Sequence, residues 1–353
     1  MSMHVVMRVI RLVLGLMVLV GCSTAAAPDG ADTTTPAPQS SSRLVIYSGR
    51  SEALIQPVIA AFQATYPRIE VSVKAGKNSE LAAAILEEKA NPQADLFIST
   101  DMLTHINLRN EGVFAPAPIA GSESVPANLK ASDGSWTSIT SRARVIMYNT
   151  TLVSAAEAPQ SMLDLTDPKW KGKIAAANST NGSMQAQVAM MNALIGTEAT
   201  QAWLAGLVAN ETTFFGGHTD VRKAVGAGEF AIGIVNHYYY ELQKREASDN
   251  QVGVVYPDQG AGQMGVMINT TVVGQIQGAP NAENARLFAE FMFTKQAQQL
   301  FAEANYEYPM IAGVTLAEGV TPLDTLRLAV NDMAQVATGV DTALQLLNAA
   351  GIP

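Results

Sequence analysis

Arg43-Leu44-Val45-Ile46-Tyr47-Ser48-Gly49-Arg50-Ser51-Glu52 decides how this 353-residue chain folds. Leu44 to Tyr47 is a short β-prone run that Ser48-Gly49 ends, and Leu54, Val58, Ala61 and Phe62 then recur at helical spacing. A second strand is expected over Ile69 to Val73, a helix over Ser79 to Lys89 with Ser79 as its N-cap, and a third strand over Asp95 to Ile98. Such alternation predicts an α/β fold with a parallel sheet covered by helices on both faces. Ligands of these sheets bind beyond the carboxyl ends of the strands, which puts Ser48 to Glu52 and Ser99 to Asp101 where a site would lie.

Downstream of Trp136 the pattern restarts. Arg144 to Tyr148, Ile174 to Ala177 and Ala231 to Val235 read as strands, and Ser183 to Ile195 as a helix rich in Met, Ala and Gln. Tyr238-Tyr239-Tyr240 follows the Ala231 strand. A glycine-rich stretch from Asp258 to Gly265 leads into a further strand at Val266 to Asn269, Asn281 to Phe301 reads as one long amphipathic helix, and Leu323 to Ala350 as one or two closing helices.

Upstream, Arg8 and Arg11 precede an uncharged apolar run from Leu12 to Val20, followed by Gly21-Cys22-Ser23. The run is well short of the ~20 residues a membrane-spanning helix needs, and reads as an export signal. Leu19-Val20-Gly21-Cys22 matches a bacterial lipobox, with Cys22 expected to carry lipid and to begin the mature chain. The following residues to Ser42, rich in Ala, Thr, Pro and Ser, form a flexible tether.

Composition excludes several classes. With 31 acidic against 22 basic residues the net charge is −9, which removes the basic field that nucleic-acid backbones attract. A single Cys excludes an intramolecular disulfide and thiolate metal clusters. The four histidines, His4, His105, His218 and His237, include no two at helical metal-ligand spacing, and neither a Gly-x-Ser-x-Gly elbow nor His-Glu-x-x-His occurs. An exported hydrolase therefore has nothing to work with, and no enzymatic activity is expected.

Tyrosine carries the chemistry. The chain has nine, yet Tyr238, Tyr239 and Tyr240 stand together where the sheet rule places a ligand. A phenol is normally protonated, with a pKa near 10, but a strongly acidic trivalent cation stabilises the phenolate. Adjacent tyrosines suit ferric ion, although three tyrosines after a strand also suit β-rich packing with hydroxyls at a wet rim.

The neighbouring segments add a resemblance. Val235-Asn236-His237-Tyr238-Tyr239 and Ser141-Arg142-Ala143-Arg144-Val145-Ile146-Met147-Tyr148-Asn149 resemble the ferric-iron-binding proteins of bacterial ABC importers. Val45-Ile46-Tyr47-Ser48-Gly49-Arg50, Ala94-Asp95-Leu96-Phe97-Ile98, Asp167-Pro168-Lys169-Trp170-Lys171-Gly172 and Glu307-Tyr308-Pro309 extend it in order from Arg43 to Val314.

The resemblance implies a two-lobed periplasmic-binding-protein fold of type II, with the lobes joined by crossover strands. The expected division is residues 43–143 and 266–314 for lobe 1, 144–265 for lobe 2, and 315–353 closing on lobe 2. It implies Tyr238 and Tyr239 as paired ligands of Fe(3+), Tyr148 as a third phenolate, and no ligand role for Tyr240. Thr180-Asn181-Gly182-Ser183 matches a loop and helix start where some members hold phosphate or carbonate, with Asn236 beside it. Some members place a His at the position of Ser51, a Tyr at Glu52 or a Glu at Thr100. Glu52 is therefore the candidate oxygen donor of the first lobe, and Arg50 and Arg144 are expected to hold a carbonate-like anion or to form an ion pair. His218 and His237 are expected to support or pack, and His105 to be structural. The implied partners are a membrane permease, ferric ion and, through Cys22, the membrane, with the protein acting as a monomer. The competing reading keeps the fold but binds another solute, such as a polyamine, thiamine or an organophosphonate.

Overall fold

The computed structural model describes residues 42–246, 251–330, 336 and 338–353. The expected export segment, Cys22 and all but the last residue of the tether lie outside the described residues. Among those described, no helix is long and apolar enough to cross a membrane.

The fold starts as the opening stretch predicts: β1 (Arg43–Ser48), α1 (Glu52–Thr65), β2 (Glu70–Ala75), α2 (Asn78–Glu87), β3 (Leu96–Ser99) and α3 (Met102–Asn110). β1 runs parallel to both β2 and β3 and lies between them. Its alternation feeds two faces. Leu44 and Ile46 are buried with Ile55, Val58, Ile59 and Phe62 of α1, while Tyr47 joins Phe97 and the Leu81 and Ile85 of α2. α2 begins before Ser79: Lys77 occupies the N-cap and no side chain caps the helix. The Asn78 amide instead donates to Thr100 Oγ1 (2.9 Å) and to the Asp101 carboxylate.

The sheet is mixed rather than wholly parallel. Next to β3 lies the antiparallel β9 (Ile268–Gln275), and next to that β4 (Thr137–Asn149), thirteen residues long and buried throughout. Its first half, to Ala143, pairs with β9 and with β10 (Tyr308–Pro309). From Arg144 onward it pairs with β7 (Ile232–Asn236) and β8 (Val252–Val255). β5 (Ile174–Ala177) and β6 (Thr213–Phe215) continue the sheet in parallel from β7. α4 (Gly182–Ile195), α5 (Thr197–Ala209) and α6 (His218–Gly226) cover this part, and α7 (His237–Lys244) follows β7 without a loop.

The helix expected over Asn281 to Phe301 is two, α8 (Ala282–Phe291) and α9 (Lys295–Asn305). Thr294 breaks it by capping α9, its Oγ1 accepting from Ala297 N at 3.2 Å. Of the expected closing helices, a 3-10 turn (Leu323–Thr325) and α10 (Val340–Ala349) are described, and Ala343 and Leu347 of α10 pack with Met184 and Val188 of α4.

Candidate functional site

β7 ends at Asn236, and α7 turns away immediately, so Tyr238 and Tyr239 fall in the first turn of a helix at the carboxyl end of a buried strand. Their rings lie 4.3 Å apart at 32°. Burial, with Tyr239 alongside, holds the Tyr238 phenol well above the ordinary tyrosine value although Arg142 opposes it. Without a metal this phenol is protonated, so a cation that binds there must displace the proton. The Lys244 ammonium stands over the Tyr240 ring, 5.2 Å from its centroid.

Arg144, opposite Asn236 on β4, organises one side. It is fully buried; Nε and Nη2 donate to Gln187 Oε1 (2.9 and 2.6 Å), and Nη1 donates to Asn236 Oδ1 (3.1 Å) and to His218 Nε2 (3.1 Å). Burial lowers the Arg144 pKa to about 9, with Tyr238 and Tyr239 pulling the other way. Accepting that bond keeps His218 neutral, and burial, then Arg144 and Arg142, hold its pKa well below 6.5. Its ring meets Tyr239 edge-on at 5.1 Å.

The expected anion residues join the same network. Asn181 caps α4, its Oδ1 accepting from Ser183 N at 3.0 Å, and Asn236 Nδ2 donates to Ser183 Oγ at 3.4 Å. Asn236 thus ties Arg144 to the start of α4. At Gly182, the first residue of α4, a Cβ would sit 3.5 Å from Asp101 Oδ2, so the loop after β3 reaches this point as well.

Arg50 does not join that cluster. It is 2% exposed, and its Nη1 donates to Glu307 Oε1 (3.0 Å) and Thr271 Oγ1 (2.8 Å). Its counter-charge in the structure is Glu307, the ion-pair alternative, while its Nε and Nη2 have no hydrogen-bond partner among the described residues. Arg142 shares that carboxylate at 3.5 Å and also donates to Thr271 Oγ1 and the carbonyls of Thr100 and Thr270. Burial pushes the Glu307 carboxyl up, yet Arg50 and Arg142 bring it below the usual glutamate value.

Tyr148, the expected third phenolate, lies further along β4 from Arg144. Antiparallel pairing sets it opposite Ile232, at the far end of β7 from Asn236, and four residues of strand from Arg144 is about 13 Å. It packs with Ile146, Trp170 and Ile232 and lies near enough to Tyr240 to add to the rise that burial gives that phenol's pKa, whereas Tyr239 packs with Val145, Met147 and Val235. Its ring covers Gly253, where a Cβ would meet the phenol oxygen at 2.5 Å. Glu52 is exposed in the first turn of α1, two residues beyond Arg50.

Arg142, Gln187 and Glu307 are additions that no sequence reading assigned. Strand alternation gives Arg142 and Arg144 the same face, which was a usable signal for the first. His105 is structural as expected: it is stacked between Phe97 and Phe114, its Nε2 donating to Phe97 O at 3.1 Å. Among the described residues no three of His, Cys, Asp and Glu could hold a metal ion together.

A chain with parallel strands on both flanks, two crossover strands between them and a buried polar site at strand ends has the two-lobed periplasmic-binding-protein fold. Residues 91–327 match the bacterial extracellular solute-binding protein family, and the chain belongs to it. Iron uptake protein A1 of Synechocystis is 33% identical over 347 residues, covering 96% of this chain and 94% of the relative. The ferric binding protein from Campylobacter jejuni superimposes with a TM-score of 0.82 at 28% identity, covering 88% of this chain and all of that one. A Trichodesmium protein solved in complex with iron and citrate gives 0.76 at 30% identity over the same share. These relatives are named as binding and uptake proteins, not as enzymes.

Proposed function

We propose that this protein is the extracytoplasmic ferric-iron-binding component of an ABC importer, with Tyr238 and Tyr239 supplying paired phenolates to the metal. The adjacency of the two rings, 4.3 Å apart beside the buried Arg144, is the observation that carries the reading. Arg144, Asn236 and the Asn181-Gly182-Ser183 turn are suited to a carbonate-like anion, since one cation and the start of a helix converge there. Glu52 is the oxygen donor proposed from the first lobe. In this reading lobe 1 comprises residues 43–143 and 266–314, lobe 2 residues 144–265, and 315–353 close on lobe 2. The lobes enclose the metal by hinge motion and deliver it, as a monomer, to a membrane permease. Cleavage before Cys22 and its lipidation hold the protein at the membrane, so Cys22→Ala is expected to release it from washed membranes.

The deciding experiment is a visible titration of the iron-free soluble domain with ferric citrate and bicarbonate. Tyrosinate bound to ferric ion produces a charge-transfer band, expected to saturate as the site fills. A folded protein that develops no band at saturating iron does not bind it through these phenols, and another solute then becomes the better reading.

A further inference from the structure

His237 stands between the tyrosines and the strand that joins the two halves of the sheet. It is the first residue of α7 and fully buried. At Ala143 the ladder of β4 changes partners, from Ile268 on β9 to Asn236 on β7 at the next residue. The Ala143 N–H donates at this exchange to His237 Nδ1, at 3.2 Å. An accepting Nδ1 puts the ring proton on Nε2, which donates to the Tyr306 carbonyl at 2.7 Å. Tyr306 ends α9 in a left-handed conformation, φ 56°. The next two residues are equally engaged: Glu307 binds Arg50 and Arg142, and the Tyr308 ring stacks on His237 at 4.4 Å. One imidazole thus ties the start of α7 to two other pieces of chain, β4 and residues 306–308, with Tyr238 edge-on to it at 6.1 Å.

We infer that His237 is a positioning residue: by bridging Ala143 N–H and Tyr306 C=O it fixes the first turn of α7 against the crossover strand, and so sets where the Tyr238 and Tyr239 phenols stand. This rests on the reading that those phenols bind iron. A buried aromatic that only filled space would need neither bond. The imidazole makes both, on opposite edges of one ring, to backbone groups whose spacing defines how α7 meets β4.

His237→Phe keeps the ring stacked on Tyr308 and removes both hydrogen bonds. The folded variant is expected to show a displaced ferric charge-transfer band and an iron affinity, measured by competition with citrate, at least about tenfold weaker. His237→Gln, whose amide both accepts and donates, is expected to restore the band position and most of the affinity. A folded Phe variant with the wild-type band and affinity overturns the inference, as does a folded Gln variant that restores neither. If the Phe variant does not fold, His237→Asn replaces it, its side chain being too short to span both partners. A folded Asn variant with the wild-type band and affinity overturns the inference equally, and a displaced band that Gln restores supports it. A wild-type protein without any ferric band fails at the iron reading, before His237 enters. A wild type with a band and a Phe variant indistinguishable from it fail at His237 alone.

Discussion

Tyr238 and Tyr239 are neighbours in sequence but not in surroundings. Both act on Arg144, but Tyr238 also feels Arg142 and Glu307, while Tyr239 meets the His218 ring edge-on. Replacing either by Phe is expected to abolish or shift the ferric band and to lower iron affinity by more than about tenfold. Tyr240→Phe is expected to leave the band in place, and a loss there equal to that at Tyr238 or Tyr239 would overturn the assignment of the pair. Adjacency in a turn is visible in sequence because two successive residues cannot be far apart. Where Tyr148 stands was not legible in the same way, because a tyrosine's position along a strand says nothing about which end of the partner strand it faces. Glu307 carries a different test. Its carboxylate lies between two buried guanidinium groups, so Glu307→Gln leaves both charges uncompensated and is expected to cost about 3–5 kcal/mol in denaturant unfolding. The sign in pH follows from the lowered pKa: the wild-type contribution is complete above the ordinary glutamate value of 4.5 and is lost as pH falls through the lower folded value. The Gln variant is expected to lack that acid limb.

Strand β4 shows why some elements were legible and others were not. Its second half has a continuous apolar run from Val145 to Tyr148 and reads as a strand, but Thr137-Ser138-Ile139-Thr140-Ser141-Arg142 carries almost no apolar signal although every residue is buried. Pairing with β9 and β10 satisfies its backbone and Glu307 accepts from Thr140 Oγ1, none of it local in sequence, while Thr137 Oγ1, Ser138 Oγ and Arg142 Nε have no hydrogen-bond partner among the described residues. The helix break at Met292–Thr294 was hidden for the opposite reason. Its apolar residues keep helical spacing across the junction, with neither Gly nor Pro to mark it, and only the Thr294 hydroxyl signals a new start. Removing that cap by Thr294→Ala is expected to lower stability by about 1 kcal/mol, read from the urea midpoint, with the ferric band unchanged. A variant as stable as wild type would mean that packing of Phe301 and Ala297 alone sets the start of α9.

At the scale of the whole molecule, three histidines buried in the neutral form set the response to acid. Burial lowers His105 to about 3 and His237 to about 4, and His218, beside Arg144, lies well below its ordinary value. In the unfolded chain each takes up a proton near 6.5. Below that pH the unfolded state binds more protons than the folded one, so stability falls as pH falls. The decline continues until each folded imidazole titrates in turn, near 4 for His237 and near 3 for His105. Each neutral histidine contributes up to about 1.4 kcal/mol per pH unit to the slope. His105 separates this effect from metal release, because its ring is held by Phe97 and Phe114 and touches neither Tyr238 nor Tyr239. The urea midpoint of the iron-free protein is therefore expected to drop steeply from pH 6.5 towards 4, and His105→Gln to make that drop shallower by about one proton's share. Iron loading is expected to raise the midpoint at neutral pH and to lose that advantage in acid, as protons compete for the phenolates. A midpoint flat across the window, or a His105→Gln slope equal to the wild type, would show that the buried histidines do not govern acid stability.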